Sequence, residues 1–85
     1  MQPYNIIKHP IQTEKAVRLM ESENKLIFIV RKAATKIQIK KAVEELFKVK
    51  VIQVNILIQK NEKKAYVKLA AENKAIDVAS QLGLM

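Results

Sequence analysis

The stretch Val51-Ile52-Gln53-Val54-Asn55-Ile56-Leu57-Ile58-Gln59, followed by Lys60-Asn61-Glu62 and then Lys63-Lys64-Ala65-Tyr66-Val67-Lys68-Leu69, reads as two strands joined by a tight connection. Strict alternation assigns the faces. In the first strand Ile52, Val54, Ile56 and Ile58 fall on one side, with Gln53 and Asn55 opposite. In the second, Ala65, Val67 and Leu69 share a face, and the other shows Lys64, Tyr66 and Lys68, a ring between two cations. That row suits phosphate neutralisation and base stacking by an RNA. A half-buried strand with solvated lysines would carry the same pattern.

Working outward, Lys25 to Lys32 forms a further strand, whose unbroken Leu26-Ile27-Phe28-Ile29-Val30 implies cover on both faces. Between it and the hairpin, Thr35-Lys36-Ile37-Gln38 matches a capping box and opens a helix. Ile39, Ala42, Val43, Leu46 and Phe47 mark the buried face of that helix; Lys40, Lys41, Glu44, Glu45 and Lys48 line the other, where the carboxylates are solvated. Towards the N-terminus, Tyr4 to Lys8 is a short edge strand ended by His9-Pro10. Thr13 then caps a helix running to about Ser22, with Glu14 at its positive end and Ala16, Leu19 and Met20 inward. A last helix spans about Glu72 to Leu82, with Ala75, Val78, Ala79 and Leu82 inward and Gly83 at its C-cap. The order β-α-β-α-β-β-α predicts an α+β fold. In it a four-stranded, mainly antiparallel sheet of split βαβ topology, the ferredoxin-like plait, carries three helices.

With 85 residues the chain is read as one domain, residues 1–85. Its net charge of +8 is concentrated in the middle. Residues 1–24 sum to zero, residues 25–50 carry +6, residues 51–69 carry +3 and residues 70–85 carry −1. One polyanion-binding region fits this distribution better than a uniformly cationic coat. The chain has no cysteine, hence no disulfide framework and no thiolate metal site, which fits a reducing cytoplasm. No signal peptide and no membrane-length apolar run are expected.

Catalytic chemistry finds no constellation. His9 is the only histidine and stands beside Pro10, where a phosphate contact or a loop role suits it better than general base work. The lone glycine, Gly83, excludes a glycine-rich phosphate loop. No catalytic residue, metal site or cofactor is expected. On the basic side, Lys36, Lys40 and Lys41 crowd the first turns of a helix whose N–H groups are free, an arrangement an anion would relieve. Asn55 in mid-strand is unusual for its residue type; it either satisfies a neighbouring backbone group or reads an RNA base or sugar.

Four motifs in order resemble one ribosomal family. Lys-Lys-Ala-Tyr-Val-Lys-Leu at 63–69 resembles the signature strand of large-subunit ribosomal protein twenty-three, a universal protein at the rim of the peptide exit tunnel. Ile7-Lys8-His9-Pro10-Ile11-Gln12-Thr13-Glu14-Lys15 is similar to that family's opening. Ala34-Thr35-Lys36 and Ile39 to Phe47 resemble its central helix, and Val54-Asn55 stands where the family usually reads Val-Asn-Thr. The resemblance implies a structural, non-enzymatic protein of the cytoplasmic large subunit with the plait fold. It implies RNA contacts at Lys8, His9, Thr13, Lys15, Thr35, Lys36, Lys40, Asn55, Lys63, Lys64, Tyr66 and Lys68. It also implies that Glu14 docks factors meeting the emerging chain: a nascent-chain chaperone, the signal recognition particle or the translocon. Neighbouring large-subunit proteins are implied partners, and stable membrane insertion is not. Two departures stand out. Bacterial members carry a long basic loop where this chain has Lys60-Asn61-Glu62, so the short hairpin looks archaeal or eukaryotic in type, and Ile56 replaces the threonine. The rival readings are a free-standing RNA-recognition module, which typically stacks two or three bases where this chain offers Tyr66, and a small αβ protein-interaction domain, which would need no such charge.

Overall fold

A computed structural model describes residues 6–11 and 13–81. Along the chain run β1 (Ile7–Pro10), α1 (Glu14–Glu23), β2 (Lys25–Val30), α2 (Lys36–Phe47), β3 (Val51–Gln59), β4 (Glu62–Leu69) and α3 (Ala75–Gln81). The four strands form one sheet in the order β1-β2-β4-β3, with every neighbouring pair antiparallel. β4 inserts between β2 and β3, so β2-α2-β3 is a split βαβ unit, as the element order predicted.

Local chemistry accounts for the helix starts. The Thr13 hydroxyl accepts from the Ala16 amide at 3.2 Å. At α2, Thr35 Oγ1 accepts from the Gln38 amide at 3.2 Å while Gln38 Oε1 accepts from the Thr35 amide at 3.0 Å, completing the capping box. Each such cap is worth about 1 kcal/mol. The hairpin between β3 and β4 turns on Lys60 and Asn61 alone, with φ of 46° and 65°. Positive φ at both residues is the type I′ geometry, whose twist matches that of the flanking strands.

The core lies on one face of the sheet. Leu26, Phe28, Val30, Val51, Ala65, Val67 and Leu69 from the strands pack with Met20 of α1, with Ile39, Ala42 and Val43 of α2, and with Ala75, Val78 and Ala79 of α3. All three described helices therefore cover the same face. Phe47 closes the end of α2 by stacking on Phe28, with ring centroids 5.8 Å apart and planes 10° from parallel. Such a pair adds about 0.5–1.5 kcal/mol beyond its buried area.

Several details differ from the sequence reading. β1 continues through His9 and Pro10, which pair with Ile29 and Phe28, because a proline without an N–H is tolerated on an edge strand. Tyr4, where the strand was expected to begin, lies outside the described residues. In β3 a register shift between Val51 and Gln53 buries Val51 and leaves Ile52 at 55% exposure. The Val51 amide at this bulge donates to Glu44 Oε2 at 3.1 Å, so Glu44 is a structural acceptor rather than a solvated charge. In α2, Leu46 is exposed and Leu19 of α1 is half-buried, so the apolar stripes are narrower than periodicity suggests.

The last helix begins at Ala75, not Glu72, and its cap comes from far away in sequence. Asn24 takes the left-handed conformation at the C-cap of α1 (φ 57°). Its Nδ2 donates to the carbonyls of Leu69 (3.2 Å), Ala70 (3.2 Å) and Asn73 (2.8 Å), and its Oδ1 accepts from the Ala75 amide at 2.7 Å. Asn73 in turn accepts from the Lys50 amide at 2.8 Å. These contacts hold residues 71–74 in a turn that a helix from Glu72 would have consumed. Leu82 and Gly83 lie outside the described residues.

Candidate nucleic-acid interface

Among the described residues, the second face of the sheet carries no helix. The antiparallel registers line its side chains up in rows across the strands. One row is Gln53, Lys68 and Lys25; the next is Asn55, Tyr66 and Ile27; the third is Leu57, Lys64, Ile29 and His9. Of the residues singled out in the sequence, Asn55, Lys64, Tyr66, Lys68 and His9 thus share one surface contributed by four strands. Ile27 and Ile29 are buried on this side, flanked by Tyr66 and Lys64, which are themselves half-buried. This explains the unbroken apolar run of β2: one face packs on the helices, and the other underlies the basic and aromatic row.

The geometry of the row limits what it can hold. Strand residues rise about 3.3 Å each, so Lys64 and Lys68 are about 13 Å apart along β4, with Tyr66 midway. Two ammonium groups at that spacing meet different phosphates, and the intervening ring is placed for a base between them. Among the described residues both phenylalanines pack in or against the core, which leaves Tyr66 as the aromatic ring on this face. His9 Nδ1 lies 3.1 Å from the Pro10 carbonyl oxygen, a contact that the Nδ1–H tautomer makes as a donor.

Lys63 stands apart. It pairs with Ile58 and Val30 on the helix-covered side, and its ammonium donates to the carbonyl of Lys32 at 3.1 Å and to that of Ala34. The loop leading into α2 is therefore held by this cation. Thr13 and Thr35 use their hydroxyl oxygens as helix caps, which leaves each O–H free to donate. Lys36 and Lys40 are exposed on α2, and Lys15 is exposed on α1; their elements pack against the covered face.

The structure also brings forward residues that the sequence reading passed over. Lys25 and Gln53 complete the first row, and Lys25 pairs with Glu23 at 3.1 Å. Arg31 and Lys32 line a shallow depression with Lys8 and Ala33, a second cluster of cations at the end of β2. Lys25 precedes Ile27 by two positions and so shares its face, but placing it beside Lys68 needs the strand order. Glu14, at the start of α1, is exposed and borders a depression with Thr13, Val17 and Arg18.

Among the described residues no cluster of three or more histidines or carboxylates could hold a metal ion, and no helix is long and apolar enough to cross a membrane. A helix-backed sheet with a basic, singly aromatic open face offers positioned charge. Comparison with known families accounts for that arrangement. The family model described as ribosomal protein L23 matches residues 5–78. The match covers most of the chain and all but the end of the last helix, so the protein belongs to the ribosomal protein L23 family, whose members are non-enzymatic structural components of the large ribosomal subunit in the cytoplasm.

Proposed function

We propose that this protein binds large-subunit ribosomal RNA chiefly through the open face of its sheet, and that it presents the start of α1 as a docking surface at the polypeptide exit tunnel. The observation that carries the first part is the convergence of Lys64, Tyr66 and Lys68 with Asn55, Lys25 and His9 on a face that no described helix covers. Phosphates meet the ammonium groups, a base stacks on Tyr66, and Asn55 beside it offers an amide to a base edge or a ribose hydroxyl. Lys8 with Arg31 and Lys32 extends the footprint beyond the sheet. Lys15, Lys36, Lys40, Thr13 and Thr35 form a lesser set, reached by RNA that folds around the helices. Lys63 contributes by holding the loop into α2. The whole chain acts as one RNA-binding unit.

Glu14 supports the second part. Its carboxylate has the wrong sign for phosphate, it is exposed, and it lies in the segment of the chain whose charges cancel. A basic patch on a nascent-chain chaperone, the signal recognition particle or the translocon would complement it while RNA occupies the sheet. Neighbouring large-subunit proteins share the remaining surface.

Site-specific photocrosslinking on assembled large subunits tests this reading. A crosslinker in place of Asn55 is expected to capture ribosomal RNA, and one in place of Glu45, exposed on α2, to capture far less. RNA capture from position 45 with none from position 55 would put the interface on the helices and overturn the assignment.

A further inference from the structure

The two edges of the sheet are built differently. β1, at one edge, is four residues long, contains Lys8, His9 and Pro10, and is interrupted by a register shift between Ile7 and His9. Short length, charge, proline and a bulge are the usual means of keeping a strand edge unpaired. β3, at the other edge, has almost none of these. It runs nine residues from Val51 to Gln59 with no charge, proline or glycine, and its single irregularity lies at Val51 to Gln53, which leaves Val54 to Gln59 regular. Ile52, Leu57 and Ile58 are exposed at 55%, 41% and 68%, the large hydrophobics of the described strands that stand exposed. The outer edge of β3 pairs with no other strand among the described residues.

Charge decides what can pair there. The uncharged strand is bracketed by the exposed Lys50 and Lys60. A second copy added antiparallel about Asn55 would set Ile52 against Ile58, but it would also set Lys50 against Lys60 at both ends. A parallel copy would oppose each lysine to itself. Like charges directly across strands are unfavourable, and two chains of net +8 repel at longer range. RNA has no strand edge to offer the backbone. An extended protein segment with apolar residues at alternate positions and acidic residues at its ends satisfies the edge, the exposed aliphatics and both lysines together.

We infer that the free edge of β3 is a docking site for such an acidic-ended extended segment of a protein partner, which joins the sheet as a fifth strand. Backbone hydrogen bonds supply the attachment. Side chains beside Leu57 on one face and beside Ile56 and Ile58 on the other select apolar residues, and Lys50 and Lys60 fix the ends. This edge borders the RNA face at Leu57 and lies apart from Glu14, and the proposal stands whether or not RNA binds the open face.

The test uses the full chain and a synthetic probe: nine alternating valines and threonines flanked by two glutamates at each end, with blocked termini. Titration should shift the backbone amides of β3 and slow their hydrogen exchange. Replacing the end glutamates by lysines should weaken binding about tenfold or more, and N-methylating alternate residues, which keeps the charge, should abolish it. Ile58→Lys should also weaken binding about tenfold with its thermal unfolding unchanged, since that side chain is largely exposed. Equal affinity for acidic-ended and lysine-ended probes, or full binding by the N-methylated probe, would overturn the proposal. So would self-association of the protein that protects β3 amides without any peptide, or the same protection conferred by ribosomal RNA with none from the peptide.

Discussion

Lys63 and Lys64 are neighbours in sequence and belong to opposite faces of the sheet. On the covered face the Lys63 ammonium is tied to the carbonyls of Lys32 and Ala34, in the loop that leads into α2. On the open face Lys64 stands in a row with Leu57, Ile29 and His9 and donates to no protein group among the described residues. Identical side chains thus sit differently: one satisfies backbone acceptors, and the other has no such partner among the described residues. A count of basic residues cannot separate the two roles, whereas strand parity and register can.

The largest effect belongs to the covered side. Asn24→Ala removes a left-handed cap and the four side-chain hydrogen bonds that join α1, β4 and α3, so stability should fall by about 3 kcal/mol in denaturant titrations. The salt dependence of RNA binding by the remaining folded protein should not change; a changed slope would mean that the two faces are coupled. On the open side, Tyr66→Ala should reduce RNA affinity by about 1–3 kcal/mol and Tyr66→Phe by much less. A loss confined to thermal stability would assign the ring to packing over Ile27 instead. Lys63→Ala should cost about 1 kcal/mol of stability through its two orphaned carbonyl partners and leave RNA affinity nearly intact. Smallest is Glu14→Ala, with a stability loss of about 0.3–1 kcal/mol from the helix dipole. Subunit incorporation should be normal and binding of a targeting factor or nascent-chain chaperone to purified ribosomes weakened; normal binding of every such factor would leave Glu14 as a helix-start residue.

What could be read in the sequence depended on range. The Thr35–Gln38 capping box, the bounds of β3 and the parity of β4 depend on residues within four positions of one another, and all hold in the structure. The fold class followed from element order. The β3 bulge did not, since its Val51 amide is satisfied by Glu44 of the preceding helix. Nor did the start of α3, whose first amide is capped by a residue 51 positions earlier. For the candidate site, alternation grouped Lys64, Tyr66 and Lys68 correctly on one strand. Adding Lys25, Gln53 and His9 to that group needed the order β1-β2-β4-β3, whereas parity alone sets Lys63 on the opposite face.

The salt dependence of ribosomal RNA binding tests the division between faces most directly. Each phosphate contact to single-stranded RNA contributes about −0.7 to the slope of log affinity against log salt concentration, and to a duplex about −0.9. Replacing Lys64 and Lys68 together by alanine should flatten the slope by about 1.4–1.8, while Lys63→Ala leaves it at the wild-type value. A slope unchanged in the double variant and flattened by Lys63→Ala would contradict the assignment of the open face to RNA.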